Sequence, residues 1–201
     1  EDGLSSVNVA TFPVARSFGD LMASLEQIAT GAHDYESVWL DSAGWAESLI
    51  WEQVCADGGK KSIEEFGFGK GYGYALTYWG ELLSLLDACG QRHDLGIGPA
   101  MMIGIIAHAK VTRFEDPSTA PYDRFEPALY KTSSAALQEW ADEVLFARHR
   151  VTTVARKEGS KSESRGLSSG ERLIYTTEAP SHMAKNRANL PAELPLGFAS
   201  Y

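Results

Sequence analysis

The sequence has no apolar run approaching the roughly 20 residues that a membrane-spanning helix needs. The longest apolar stretch, 100–107, ends at His108 and predicts a buried strand. The start carries no signal-peptide pattern, and the two cysteines, Cys55 and Cys89, lack metal-ligand spacing. These absences disfavour a membrane protein, a disulfide scaffold and a cysteine metal site, so we expect a cytoplasmic protein.

Positive charge is also scarce, since the net charge is −9 and the pI is about 5.0. An acidic chain of this kind does not bind nucleic acid over its whole surface. The charge is uneven, however, because 148–172 contains seven Lys/Arg and three Glu. A local basic face is therefore compatible with the composition.

Apolar periodicity predicts helices and strands that alternate along most of the 201 residues. Such alternation indicates an α/β fold with a mostly parallel sheet flanked by helices, and the late strands indicate a C-terminal antiparallel hairpin. We expect one domain over 1–201, with a mobile hairpin tip at 156–170 and a wrapping tail at 188–201.

Two predicted strands each end in a polar side chain. Asp41, followed by Ser42, ends the strand 36–41, and His108 ends the strand 101–107. Ligands of open α/β sheets bind at the carboxyl ends of the strands, where an Asp can hold Mg²⁺ through water and a His can contact a phosphate. Alternatively, Asp41 caps the next helix and His108 is a turn histidine.

Three further segments are candidates for contacts with a ligand. Phe66–Tyr74 is rich in Gly and aromatics, which suit base stacking, and it lacks the Gly-Lys-Ser/Thr ending of a phosphate-binding loop. Lys110–Pro127 is a polar segment that follows His108, and Lys185-Asn-Arg187 carries two cations. The alternatives for these three segments are, in the same order, a flexible loop, an ordinary crossover with salt bridges and a solvated turn.

Taken in order, these pieces resemble phage-encoded RecA-like P-loop nucleotide-binding proteins of single-strand annealing and recombination. The resemblance is carried by short stretches spread over nearly the whole chain. They are Glu1-Asp-Gly-Leu4, Trp39-Leu-Asp-Ser42, Phe66-Gly-Phe-Gly-Lys-Gly-Tyr72, Ile106-Ala-His108, Arg113-Phe-Glu-Asp-Pro117, Pro121-Tyr-Asp-Arg124, Leu137-Gln-Glu-Trp-Ala-Asp142 and Ala184-Lys-Asn-Arg187.

The resemblance implies a role for each group of residues. Glu1 would orient the attacking water, Asp41 would be the Walker B carboxylate with its Mg²⁺, and His108 would be the sensor residue. Asp41, Ser42, Lys185 and Arg187 would contact ATP, the last two across a subunit interface. The residues that would face DNA are Phe68, Lys70, Tyr72, Lys110, Arg113 and Arg124.

The resemblance also implies a RecA-like core whose Gly-x-x-x-x-Gly-Lys-Ser/Thr loop should precede Glu1 and does not occur in these 201 residues. We therefore expect the N-terminal βα unit to be missing. The implied function is an ATPase that binds single-stranded DNA, assembles as a filament or ring, and works with single-strand-binding protein, in the host cytoplasm if phage-encoded. The alternatives are a nucleotide-independent DNA-binding or assembly module and a hexameric helicase or loader motor.

Overall fold

The computed structural model of the protein describes residues 8–158 and 161–197. The described residues form two compact units, one made of 8–108 with 128–136 and the other of the remaining described residues. The mixed α/β composition predicted from the sequence is confirmed. No helix in these described ranges is both long and apolar enough to cross a bilayer.

The helices follow the periodicity of the sequence. Their bounds are α1 Phe18–Thr30, α2 Ala43–Asp57, α3 Lys70–Gly90 and α4 Lys131–Trp140, with a short 3-10 helix at Ile63–Phe66. Ser17 caps α1, since its Oγ accepts a hydrogen bond of 3.0 Å from the backbone N–H of Asp20. Gly58 is the C-cap residue of α2.

Helices α1, α2 and α3 pack on one another in the first unit. Each helix has an apolar stripe at a spacing of three or four residues, such as Leu21 with Leu25 and Leu82 with Leu86. These side chains and Trp79 are almost fully buried, and each buried leucine stabilises the fold by about 1.5–3 kcal/mol. Helix α4 begins in the first unit and ends in the second.

The first unit also holds the parallel strands β1, Ser37–Asp41, and β2, Met102–Ile106. Val38 is buried and Ile103 and Ile105 are half-buried, while Trp39, Met102 and Ile106 on the alternate positions are exposed. One sheet face therefore packs on the protein. The described residues contain no larger parallel sheet, so the mostly parallel RecA-like core is not confirmed.

The second unit is built from antiparallel pairs. The strands are β3 Ala109–Phe114, β4 Tyr122–Pro127, β5 Glu143–Val144, β6 Phe146–Glu158, β7 Lys161–Tyr175, β8 Lys185–Asn186 and β9 Glu193–Pro195. The pairing of β6 with β7 confirms the C-terminal hairpin. The segment Lys110–Pro127, for which an ordinary crossover with salt bridges was the alternative, forms most of the β3–β4 hairpin.

Candidate functional site

Asp41 and His108 lie at the same edge of the β1–β2 pair. Asp41 is the last residue of β1 and pairs in register with Ile106, the last residue of β2, so that His108 follows two residues later. Both side chains are exposed. Because the strands are parallel, their carboxyl ends coincide, and this edge is where α/β folds place their ligands.

Ser42 connects this edge to α2. The peptide bond between Asp41 and Ser42 is cis, and the buried Ser42 is the N-cap of α2, its Oγ accepting a hydrogen bond of 3.4 Å from the backbone N–H of Trp45. The capping role of Ser42 holds Asp41 at the start of the helix, where the dipole favours negative charge. The cap that the sequence suggested for this turn is therefore supplied by Ser42 rather than by Asp41.

The donor set at this edge suits Mg²⁺. The exposed carboxylate of Asp41 offers hard oxygen ligands, which Mg²⁺ prefers, while the ion keeps several waters and takes further ligands from a substrate's phosphates. Across 8–158 and 161–197, no group of three or more His, Cys, Asp or Glu side chains could hold a metal by itself.

The junction segment, Ala128–Tyr130, lies against this edge. The backbone N–H of Ala128 donates a hydrogen bond of 2.7 Å to the carbonyl of His108. The backbone N–H of Tyr130 donates to both carboxylate oxygens of Glu47, each at 3.1 Å. Glu47 belongs to α2 and is buried, so the junction segment joins the residue that ends β2 to the helix that follows β1.

Sequence reasoning missed Glu47 and Tyr130. The one signal for Glu47 is a carboxylate among the apolar positions of α2, beside Ala46 and Ile50. A buried carboxylate in such a stripe requires a hydrogen-bonding partner. The partner lies 83 residues away at the N-terminal end of α4, so periodicity alone does not identify it.

Phe68 and Lys70 lie at an exposed tip between the 3-10 helix and α3. Phe68 has φ of 50° between Gly67 at 65° and Gly69 at 71°, and its side chain is fully exposed. A non-glycine residue at positive φ is uncommon, and for a bulky side chain it is strained. Lys70 is the first residue of α3 and is exposed, so α3 begins inside the predicted loop 66–74.

Tyr72 is less accessible than Phe68. Its ring stacks on Tyr130 with centroids 3.8 Å apart and planes at 10°, and the Trp51 ring packs edge to face with its centroid 5.4 Å from that of Tyr72. Its hydroxyl donates a hydrogen bond of 2.9 Å to Glu64, which raises the pKa of the Tyr72 phenol. Tyr72 thus has intramolecular partners on one ring face and at its hydroxyl.

The other predicted DNA-facing residues lie in the second unit. Arg113 on β3 is exposed and lies 3.4 Å from Asp123, and Lys110 is exposed on the same strand. Arg124 on β4 is buried, pairs with Glu126 at 2.8 Å and with Glu178 at 3.0 Å, and lies over the ring of Phe114. The Arg124 guanidinium is therefore occupied by intramolecular contacts.

Lys185 and Arg187 have different surroundings in the same unit. The Lys185 ammonium donates hydrogen bonds to the carbonyls of Gln138 at 2.8 Å, Glu139 at 3.0 Å and Ala141. It thereby neutralises the C-terminal end of α4. The Arg187 guanidinium is mostly exposed and pairs with Asp142 at 2.9 Å, which makes Arg187 the more accessible cation.

The structure thus brings Asp41, Ser42 and His108 to one edge of the first unit, with Phe68, Lys70 and Tyr72 at a tip of the same unit. Lys110, Arg113, Arg124, Lys185 and Arg187 belong to the second unit. Glu1, predicted to orient water, lies outside the described residues. The functional roles assigned to these residues stay predictions.

Comparison with known proteins gives one result. A family model described as an AAA domain matches residues 1–188 of the chain. No significant match was found among curated proteins or among solved structures.

Proposed function

The chain belongs to the AAA-domain family of P-loop NTPases, and on that premise we propose that the protein is a Mg²⁺-dependent ATPase acting with single-stranded DNA in annealing or recombination. The RecA-like type of core and a phage origin belong to the same proposal. The family itself supports nucleotide binding, and the remainder rests on the residues of the two units.

The observation that carries the ATPase proposal is the shared edge of β1 and β2. Asp41 ends β1 in register with Ile106, the last residue of the neighbouring parallel strand β2, and His108 follows two residues later. This edge supplies an acidic group for Mg²⁺ beside a neutral or cationic group for a phosphate, which are two of the groups a γ-phosphate site needs.

Each of these residues has a task in the proposed reaction. Asp41 holds Mg²⁺ through water, and the bound ion neutralises charge on the β- and γ-phosphates. Ser42 fixes Asp41 at the start of α2 through its cap. His108 donates a hydrogen bond to the γ-phosphate, and Glu1 orients the water that attacks in line.

The proposal assigns this chain the magnesium and γ-phosphate side of the site. No Gly-x-x-x-x-Gly-Lys-Ser/Thr sequence occurs in the 201 residues. We therefore do not assign the main phosphate-binding contacts to these residues.

Binding of single-stranded DNA is supported by the exposed tip. Phe68 offers an unobstructed ring for base stacking and Lys70 offers a neighbouring charge for a phosphate. Lys110 and Arg113 add positive charge on β3, and the sequence 148–172 is locally basic within an acidic chain. Tyr72 and Arg124, whose side chains have intramolecular partners, contribute less to DNA contact in this proposal.

Assembly into a filament or ring is supported by the position of Arg187. An exposed guanidinium is suited to reach a nucleotide bound to a second copy, as arginine fingers do. Lys185 supports the same segment by binding the end of α4. Single-strand-binding protein is a further expected partner on the DNA.

Steady-state ATP hydrolysis by the full-length protein, with and without single-stranded DNA, tests the proposal. We expect hydrolysis to require Mg²⁺ and to rise with DNA. In a separate measurement of DNA affinity, we expect Phe68→Ala to weaken binding more than Val9→Ala, which changes another exposed apolar residue. DNA binding without any hydrolysis would favour the nucleotide-independent binding module, and closed rings on DNA would favour the motor. Affinity that does not change with salt would contradict contacts to phosphates.

A further inference from the structure

The junction segment has contacts in two directions within the first unit. Its N-terminal residue, Ala128, binds the carbonyl of His108, the predicted phosphate sensor. Its C-terminal residue, Tyr130, stacks on Tyr72, four residues after the exposed ring of Phe68. A segment of three residues therefore joins the predicted nucleotide edge to the predicted DNA-binding tip.

The backbone of the junction segment is anchored to α2. Both oxygens of the buried Glu47 carboxylate accept from the N–H of Tyr130. A hydrogen bond to a buried ionised group is stronger than one between neutral groups. The position of Tyr130 is therefore defined by α2, whose first residue follows Asp41 and its neighbour Ser42 directly.

The tip depends on packing for its position. The N-cap residue of α3 is Gly69, which has no side chain to accept a hydrogen bond from the first turn of the helix. Its first turn is held by the stack of Tyr72 on Tyr130, by the hydrogen bond of Tyr72 to Glu64, and by the close approach of Gly71 to Ile63. A Cβ on Gly71 would lie 2.5 Å from the Ile63 carbonyl oxygen.

The Tyr72–Tyr130 pair is enclosed by a third aromatic ring. The centroid of the Trp51 ring lies 5.4 Å from that of Tyr72 and 6.4 Å from that of Tyr130, in both cases with the rings edge to face. Stacked and edge-to-face aromatic contacts prefer specific orientations, so movement of one ring disturbs the others. A shift of the junction segment is therefore transmitted to the first turn of α3.

We propose that the stack of Tyr130 on Tyr72 couples the nucleotide edge at His108 to the DNA-binding tip at Phe68 and Lys70. The inference rests on the proposed function and assigns Tyr130 as a positioning residue. A γ-phosphate contact at His108 shifts the junction segment through Ala128, and the stack moves the tip. Coupling of this kind is reciprocal, so bound DNA also changes the nucleotide site.

Tyr130→Leu removes the stack, and Tyr130→Phe is its matched control because the Tyr130 hydroxyl makes no hydrogen bond within the described part of the chain. We expect Tyr130→Leu to keep the basal rate of ATP hydrolysis and to lose the stimulation by single-stranded DNA. Tyr130→Phe should retain both. Hydrogen–deuterium exchange without ligands should show faster exchange at 66–74 in Tyr130→Leu only.

Tyr130→Met also removes the ring while filling the site with an unbranched side chain, and it replaces Tyr130→Leu if that variant does not fold. Stimulation by DNA that survives in the variant without the Tyr130 ring, or exchange at 66–74 that does not change, would overturn the coupling and leave the ATPase proposal intact. A wild-type protein that hydrolyses ATP equally with and without DNA would overturn the DNA part of the proposed function, and the coupling with it.

Discussion

Arg92 makes the most demanding structural prediction for the first unit. Its side chain is completely buried, and its guanidinium donates hydrogen bonds to the carbonyls of Ile28, Ala29 at 3.0 Å and Gly31 at 2.9 Å. These carbonyls are at the C-terminal end of α1, where the helix dipole favours a cation. Arg92 therefore ties α1 to the loop that precedes β2.

The size of the effect follows from opposing terms. Three hydrogen bonds to a charged group contribute about 1.5–3 kcal/mol each, or about 4.5–9 kcal/mol in total. Burial of the cation costs several kcal/mol, and no carboxylate pairs with Arg92 within the described ranges. We expect Arg92→Met to lower the free energy of unfolding by about 2–4 kcal/mol.

Urea denaturation of Arg92→Met, followed by circular dichroism, measures this change. The matched control is Arg113→Met, because Arg113 is exposed and its pair with Asp123 should contribute less than about 1 kcal/mol. Arg92→Lys keeps the charge with fewer donors, so it should fall between the wild type and Arg92→Met. Equal unfolding free energies for Arg92→Met and Arg113→Met would refute the reasoning.

Two further predictions concern titratable groups. Burial lowers the pKa of His182, so the unfolded chain binds the proton more readily and stability should fall as the pH drops below about 6.5. In urea titrations at several pH values, His182→Gln should reduce the change of unfolding free energy with pH. His149→Gln, at an exposed histidine, should leave that change as in the wild type. Equal pH dependence of unfolding free energy in the two variants would contradict the role given to His182. The hydrogen bond to Asp57 raises the pKa of Tyr78 to about 12. Ultraviolet titration should show a lower phenol pKa in Asp57→Ala, and an unchanged titration would contradict the role of Asp57.

The sequence predicts the local elements of the first unit well because their signals are local. The apolar stripes of α1, α2 and α3 have helical spacing, Ser17 and Gly58 lie at the ends of helices, and the apolar strands end where Asp41 and His108 follow. The two strand ends could be placed together from the sequence because parallel neighbours share a carboxyl edge.

The predictions that failed depend on contacts between distant residues. Gly69, Gly71 and Gly73 suggested a loop. Gly71 is instead buried against Ile63 in the first turn of α3. The segment of the β3–β4 hairpin is polar and contains prolines, which left an ordinary crossover as the alternative, and local patterns did not show the pairing of its two strands. The contacts of Lys185 with the end of α4, 44 to 47 residues away, are likewise invisible to local patterns, and its contact with ATP stays a prediction.

The account of the site depends most on Asp41, whose carboxylate is proposed to hold Mg²⁺ beside the phosphates. The most direct measurement is the Mg²⁺ dependence of ATP hydrolysis by the full-length protein and by Asp41→Asn. Asp34→Asn serves as the control because Asp34 is an exposed aspartate of the same unit. We predict that Asp41→Asn needs about 10- to 100-fold more Mg²⁺ or loses hydrolysis, while Asp34→Asn resembles the wild type. Hydrolysis by Asp41→Asn with the wild-type Mg²⁺ dependence would contradict the account.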